Sequence, residues 1–596
     1  MGKLKVSLLL LALLFFGSSF LMADSAPAPV TAPESVTKAT APASLTTTTT
    51  KAPAPSTAPV TTAKKVEKEE LKLPEVATPE EKGPQYSLSG YYRVRALRIW
   101  DLNMRTTNMH LETKEELENI GAQDVTIFYH KLRLEPKLKF NKFLTLNFQI
   151  DVFNDRPFGL QSGNVLAMDT SDKAPNMILK RAWGVILLPV GIIEFGRVPS
   201  SFGFGLSDNN GDKADDLFGD SHYGDTFDRI LFATKPLGRG SDLILALVAD
   251  KIIEGVKSFD NLIRPSGATT CQKVFCFGGD DLNQSSIVLL YNMGSGEHEG
   301  EEGYEGPIVV GNELTYRWQD STDSSIFSND FYLKVNLGLL YTNYEYVKLS
   351  GSTKALSVMT TDNQGNMKLV YPKVTVDAAG WIWDVGINTD EYRFNLELGS
   401  ASGDIFGNPI NPTTDHKFTQ FSFHPDYNVG LLMFEYGLDT FMRDYAISLQ
   451  SDLEQLVENG VISAAVAQQL IESLSLLATN GAVTNAFYVN PVYTHKLFDN
   501  NLNITVGYLY ARANSPRRLA NNVDVYNYGH EIDFGVKYKY EKNVIFGLEG
   551  GIFFPGDFFD SASPRVSGYI KSPSPMYGLL GKITFVFGRY APEEEY

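Results

Sequence analysis

Basic side chains recur at alternate positions early in the chain, and they could guide anions. Alternate residues of a β-strand share one face, so such residues would form a positively charged wall. A basic wall raises the local concentration of anionic solutes. A ladder of salt bridges with Glu135, Asp151 or acidic loops, without selectivity, is the alternative. The residues are Arg93, Arg95, Lys131, Arg133, Lys137, Lys139, Arg181 and Arg197.

Two further groups could carry metal or redox chemistry. Asp208, Asn210 and Asp212 offer oxygen ligands that suit Ca²⁺, but Lys213 stands where an EF-hand needs Gly, so a solvated loop is favoured. The two cysteines, Cys271 and Cys276, predict a disulfide in an oxidising compartment. The small loop that they close would gain about 2 kcal/mol. Zinc would need two more ligands nearby, and none is evident.

Signals for catalysis or nucleic-acid binding are weak. None of the eight histidines lies in an HExxH motif, and no G-x-S-x-G sequence occurs. A hydrolase site would need a Ser/His pair on facing strands. His495 and His530 are the strand histidines to examine, although structural roles are favoured. The net charge of −18 argues against nucleic acid as a partner. We therefore expect no catalytic residues and no cofactor.

Period-2 alternation from Tyr86 onward indicates the elements that position these side chains. In 143–153, for example, Leu144 and Leu146 share one face, and Thr145 and Asn147 share the other. Short turns alternate with long polar loops, as in outer-membrane barrels. A basic residue that faces lipid at mid-depth costs about 2–4 kcal/mol, so the basic residues should face the lumen.

The alternation predicts an all-β fold, a transmembrane antiparallel β-barrel of about 18 strands (16–20) with a helical loop insert. A strand at 308–319 would break the alternation of short turns with long loops and give an odd number of strands. We therefore interpret 295–330 as a connection. The predicted strands are 86–98, 124–140, 143–153, 177–188, 191–198, 226–235, 242–251, 285–294, 331–346, 374–388, 391–401, 415–424, 427–438, 485–497, 502–513, 528–540, 543–555 and 576–590.

Two segments precede the barrel, which is expected over 86–590. Residues 1–23 predict a secretory signal peptide, because Lys3 and Lys5 precede the apolar run 6–16. An uncleaved anchor is the alternative, but a spanning helix needs about 20 apolar residues. Residues 24–85, rich first in Ala, Pro and Thr and then in Lys and Glu, predict a disordered tether.

Helical periodicity interrupts the strands once, within the loop 439–484. Apolar residues in 448–478 follow helical spacing, with a break near Asn459 and Gly460. The helical insert could fold into the mouth and constrict it. It could also form a cap that packs on neighbouring loops.

The first strands resemble the alginate-export family and related uncharacterised outer-membrane proteins. The resemblance rests on Tyr-Tyr-Arg-Val-Arg-Ala-Leu-Arg at 91–98, on Phe-Gly-Arg at 195–197 and on the stretch from Lys180 to Arg229, and it covers about 86–235. It implies an 18-stranded barrel with a basic channel for anionic solutes or polymers. The chain departs from the family in its tether, its helical insert and the tail 588–596, which follows the outward-facing Phe585 and Phe587.

Together these features predict a porin-like channel of the bacterial outer membrane for small, anionic, hydrophilic solutes. Its expected partners are outer-membrane lipid, the barrel-insertion machinery and the solutes. The alternative is a surface-displayed structural or adhesive barrel whose loops close the lumen. The oligomeric state is left open.

Overall fold

The computed structural model describes most of the chain from residue 83 onward. The signal peptide, the tether, Cys271 and Cys276 lie outside the described residues. The described ranges are 83–107, 111, 113–157, 177–212, 217–219, 224–253, 282–298, 304–356, 358–361, 367–404, 417–464, 467, 479–519, 522–562 and 569–588.

Eighteen antiparallel strands form one closed barrel, because each pairs with the next and the last, β21, pairs with β1. Three short strands, β12, β13 and β16, are not part of the barrel wall. The strands are β1 (Gln85–Trp100), β2 (Val125–Lys139), β3 (Leu144–Pro157), β4 (Met177–Leu188), β5 (Gly191–Pro199), β6 (Thr226–Thr234), β7 (Leu243–Ile253), β8 (Leu282–Asn292), β9 (Ile308–Gln319), β10 (Ser324–Asn336), β11 (Leu340–Thr353), β12 (Val358–Thr361), β13 (Met367–Val370), β14 (Val374–Asn388), β15 (Tyr392–Ala401), β16 (Lys417–Phe418), β17 (Ala486–Leu497), β18 (Leu502–Arg518), β19 (Asp524–Tyr540), β20 (Val544–Pro555) and β21 (Met576–Phe587).

The two faces of the barrel differ in polarity. On β19, Ile532 and Phe534 are exposed on the outer face, at 48% and 47%, whereas the intervening Asp533 is buried in the lumen at 2%. The other barrel strands alternate in the same way, so apolar side chains cover the outside. Closure pairs the backbone groups of every strand, and an apolar exterior suits lipid. The chain therefore folds as an outer-membrane β-barrel.

The predicted number of strands is confirmed, although the prediction missed two strands and included two that the structure does not contain. The predicted strand 331–346 is two strands, β10 and β11, and the rejected segment 308–319 is the full strand β9. The predicted strands 415–424 and 427–438 are wrong. Within the first, only β16 and an isolated bridge between Ser422 and Thr484 are paired, and the second ends in a π-helical turn, Met433–Leu438. Their apolar residues alternate because they are buried inside the lumen, and not because they face lipid.

The connections differ in length at the two ends of the barrel. One end, the turn end, carries short connections such as 189–190 and 541–543, and the other, the loop end, carries the long loops. Helix α1 (Lys114–Glu118) lies in the first long loop, and α2 (Asp439–Glu458) continues the π-helical turn. The helical insert thus begins before its predicted start at 448. Within the described residues, no helix has both the length and the apolar character needed to cross a membrane.

Candidate functional site: the lumen and its inserted loops

The loop between β5 and β6 crosses the lumen, and we name its described residues, 200–212, 217–219 and 224–225, the crossing loop. Its backbone N–H groups at Phe204 and Leu206 donate to the Glu345 carboxylate on β11. Further along the loop, the Phe218 N–H donates to Glu549 Oε2 on β20 at 2.8 Å. Lumenal carboxylates on separate strands therefore hold this loop through its backbone.

A second connection, between β15 and β17, also enters the lumen, and we name its described residues, 402–404, 417–464, 467 and 479–485, the inserted segment. Glu531 on β19 accepts hydrogen bonds from the backbone N–H groups of Leu431, Leu432 and Met433, at 2.6, 2.7 and 2.5 Å. These groups lie where the π-helical turn begins, and a carboxylate there complements the positive end of the helix. This contact fixes the inserted segment to the barrel wall.

Glycines make room for the inserted segment on the neighbouring strands. A Cβ added at Gly578 on β21 would lie 2.5 Å from Leu432 Cδ2, and one added at Gly551 on β20 would lie 3.1 Å from Leu432 Cδ1. Leu432 itself is fully buried. The wall is therefore shaped to receive this side chain.

Beyond this contact, an aromatic core fills the mouth of the barrel. Phe434 of the inserted segment lies 6.3 Å from Tyr528, and Tyr528 lies 4.5 Å from Phe558, measured between ring centroids. Phe441 on α2 contacts Phe559 at 5.1 Å. Helix α2 is therefore packed against barrel strands and the last long loop.

The crossing loop and the inserted segment meet at a junction around His424. The His424 N–H donates to the Leu206 carbonyl at 2.7 Å, and the Gly224 N–H donates to Asp426 Oδ2 at 2.6 Å. The His424 ring Nε2 lies 3.3 Å from Asp225 Oδ2. Burial lowers the pKa of His424, but Asp225 and Asp426 outweigh it and raise that pKa above its ordinary value.

Most of the predicted basic residues converge on one lumenal wall. Arg93 on β1 lies directly opposite Lys131 on β2, and Tyr91 lies opposite Arg133. Six cations of the wall are at most 6% exposed and Lys180 is half-buried, because the two inserted loops cover the wall. The basic wall consists of Arg93, Arg95, Lys131, Arg133, Lys180, Arg181 and Lys582.

Two members of the basic wall were missed from the sequence. Lys582 lies opposite Arg95 because β21 closes on β1, which the closure itself could have indicated. Lys180 reaches the wall beside Arg181 because the register of β3 and β4 shifts between Gln149 and Ile150. Strict alternation gives no signal for such a shift.

Carboxylates pair with part of the wall, so the predicted salt-bridge ladder is present as well. Arg133 Nε donates to Asp151 Oδ1 at 2.7 Å, and Arg181 Nη1 donates to Asp212 Oδ1 at 2.9 Å. The seven cations outnumber the five carboxyl groups that lie near them. These carboxyl groups are Glu135, Asp151, Asp212, Glu435 and Glu549.

Three predicted lumen residues lie away from this wall. Lys137 and Lys139 share its face of β2 but are exposed at the turn end. The prediction for Arg197 is wrong, because Val198 takes the lumenal position and Arg197 faces outward, paired with Asp228 at 2.8 Å. Arg197 lies two residues from the end of β5, where an outward charge costs only about 0–1 kcal/mol.

The predicted calcium ligands point to separate partners. Asp208 Oδ2 accepts from Ser200 at 3.2 Å, the Asn210 side chain accepts from the Asp212 backbone at 3.1 Å, and the Asp212 carboxylate binds arginine. Across the described ranges, no group of three His, Cys, Asp or Glu residues is placed to hold a metal ion.

The two strand histidines lie on the outer face. His530 Nδ1 is 2.6 Å from the Tyr508 hydroxyl, and His495 Nδ1 is 3.4 Å from the Tyr493 hydroxyl. Both therefore interact with outward tyrosines and not with the lumen.

No protein-family model and no curated protein matches the chain. Among solved structures, Pseudomonas aeruginosa OccK8 (OprE) is 8% identical with a TM-score of 0.43, covering 85% of this chain and 98% of that one. P. aeruginosa OpdK with vanillate is 9% identical, with a TM-score of 0.43 and coverages of 84% and 98%. P. aeruginosa OccK2 (OpdF) with glucuronate is 9% identical, with a TM-score of 0.42 and coverages of 85% and 100%. Likenesses this weak carry no argument about function.

Proposed function

We propose that this protein is a porin-like channel of the outer membrane that admits small, anionic, hydrophilic solutes. The observation that supports this most is the basic wall, which joins the lumenal faces of β21, β1, β2 and β4. Its cations outnumber their neighbouring carboxylates, so the wall favours anions over cations. Of the residues predicted for the solute path, Arg93, Arg95, Lys131, Arg133 and Arg181 belong to this wall.

The inserted segment is the gate of this channel. Together with the crossing loop, it covers the basic wall, so a solute reaches the wall only when these loops move. The contacts of Glu531 with 431–433 and of Leu432 with Gly551 and Gly578 hold it in place. These contacts connect three adjacent strands to one segment.

The resemblance of 91–98 and 195–197 to the alginate-export family also supports an anionic solute, and it adds an acidic polymer as a candidate beside the small solutes. We also propose that the barrel-insertion machinery recognises the outward aromatic residues of β21, such as Phe585. The protein works without catalysis in this proposal.

Single-channel recording of the full chain in planar bilayers tests the channel. Under a KCl gradient, the reversal potential should indicate anion preference. The double variant Arg93→Gln/Lys131→Gln should lower that preference several-fold, because two members of the wall lose their charge. Lys348→Gln, on the outer face, is the matched control and should leave the preference unchanged.

Two results would count against the proposal. A strong preference for cations contradicts the anion path. A barrel that folds in detergent yet never conducts, even when the gate is loosened by Glu531→Leu, favours a surface-displayed structural or adhesive barrel instead.

A further inference from the structure

The outer face of the barrel carries charge at only one end. Among the described barrel-strand residues, the outward-facing Asp, Glu, Lys and Arg side chains all lie within six residues of the loop end of their strands. Most outward positions near the turn end are apolar or aromatic. We name the basic members the outward rim: Arg98, Arg197, Lys251, Lys348, Arg512 and Arg518.

Several members of the rim are neutralised by an acid on the neighbouring strand. Arg98 pairs with Asp124 at 3.0 Å, and Arg518 pairs with Asp524 at 2.8 Å. Lys348 pairs with Asp377 in the same way. These pairs neutralise their own charge, so they attract anions weakly.

Arg512 on β18 differs from these pairs. It has no ion pair or hydrogen bond among the described residues, and its cross-strand neighbours are Phe487 and Asn527. Two residues along the strand, the Tyr510 ring lies 5.0 Å from the His530 ring. An exposed guanidinium beside polar aromatic side chains is therefore available to a ligand from outside the barrel.

The depth of Arg512 identifies what surrounds it. Leu502 on the same strand lies opposite the turn-end aromatic Tyr538, and Arg512 is ten residues further along. At about 3.4 Å per residue and a tilt of about 40°, ten residues rise about 26 Å. The apolar band of such a barrel is about 25 Å high. Arg512 therefore lies at the level of the lipid headgroups and not within the hydrocarbon.

We propose that Arg512 of the outward rim binds a phosphate group of lipid headgroups in the leaflet at the loop end. A guanidinium presents parallel N–H donors that match phosphate oxygens. Tyr510 and His530 form a cross-strand pair two residues nearer the apolar band and add hydrogen-bonding groups below Arg512. The site is separate from the lumen, so it stands whether or not the barrel conducts.

Lipid binding by the detergent-purified full chain tests this proposal. The probes are a diphosphorylated glucosamine lipid and its dephosphorylated form, measured by native mass spectrometry. We expect the phosphorylated lipid to bind at least fivefold more tightly. Arg512→Gln should lose about fivefold, since one basic residue near a charged lipid surface contributes about 1 kcal/mol. Arg512→Lys should retain most of the binding, and Lys542→Gln, in a turn at the opposite end, is the control.

A difference in detergent-gel migration between the unheated and the boiled protein establishes that each variant is folded. Equal binding of the two lipids would overturn the proposal, as would unchanged binding by folded Arg512→Gln. Displacement of the lipid by millimolar inorganic phosphate would also overturn it, in favour of a site for free anions.

Discussion

At the scale of single residues, the contact between Leu432 and the glycines of β20 and β21 is where the gate can be tested most directly. Gly578→Leu would place a side chain in the space that Leu432 occupies, since even a Cβ there lies 2.5 Å from it. We expect the inserted segment to be displaced. Overpacking of this kind costs about 1–3 kcal/mol, so openings in single-channel records should become about tenfold or more frequent.

Gly581, on the same strand, supplies the matched control. A Cβ at Gly581 meets nothing within 4 Å, so the Gly581→Leu variant should open as often as the unmodified protein. Equal opening frequencies for the two leucine variants would show that Leu432 does not hold the gate.

The junction between the two loops should respond to pH. Asp225 and Asp426 raise the pKa of His424 despite its burial, so its positive charge stabilises the junction at low pH and is lost as pH rises through that pKa. Burial, together with Glu313 and Asp225, raises the pKa of Asp208 to about 7. Burial, with Asp439 and Asp426, raises that of Glu435 to about 8. Carboxyl groups with raised pKa values destabilise the inserted state as they ionise.

All three groups therefore weaken the inserted state between about pH 4 and pH 8. Open probability in planar bilayers should rise at least about tenfold from pH 5 to pH 8.5, since one pKa unit is about 1.4 kcal/mol. His424→Asn should make this dependence shallower, whereas His495→Asn on the outer face should not change it. Openings that become rarer at high pH would contradict the expected direction of this pH dependence.

At the scale of elements, the sequence predicts lipid-facing strands well and lumenal segments poorly. The alternation of β19 is visible because one face meets lipid and the other meets polar groups. Residues 427–438 look like a strand for a different reason, since Phe434 and Leu432 are buried on all sides by the lumen. Periodicity reports which faces are apolar, and it cannot say whether lipid or protein covers them.

The candidate site was predictable to the same extent. Arg93 and Lys131 follow from alternation along regular strands, but Lys180 depends on a register shift. Glu531 looks like any other lumenal carboxylate in the sequence, because its role arises from a segment about 100 residues away along the chain. Long-range contacts of this kind leave no local signal.

A disulfide lock tests the inserted segment as one moving element. The variant Leu432→Cys/Gly551→Cys, with Cys271 and Cys276 replaced by Ser, brings two thiols together, since a Cβ at Gly551 lies 3.2 Å from Leu432 Cγ. Oxidation should abolish conductance, and reduction should restore it. In the control pair Leu432→Cys/Gly581→Cys, the second thiol faces outward and conductance should not depend on redox state. Full conductance by the oxidised, cross-linked pair would place the solute path elsewhere.

At the scale of the whole molecule, closure with an even number of strands places both ends of the barrel chain at the turn end. β1 begins at Gln85 and β21 ends at Phe587 on that side. The outward charges lie at the other end. Outer-membrane barrels keep short turns on the periplasmic side and long loops outside, so the loop end should face the exterior.

Labelling of intact cells with a membrane-impermeant maleimide tests this orientation. In a background without Cys271 and Cys276, Val523→Cys at the loop end should react at once, because Val523 is 48% exposed between β18 and β19. Leu337→Cys, in a turn where the side chain is 71% exposed, should react only after the cells are permeabilised. The opposite pattern would show that the loop end faces the periplasm, and the outward rim would then lie in the inner leaflet.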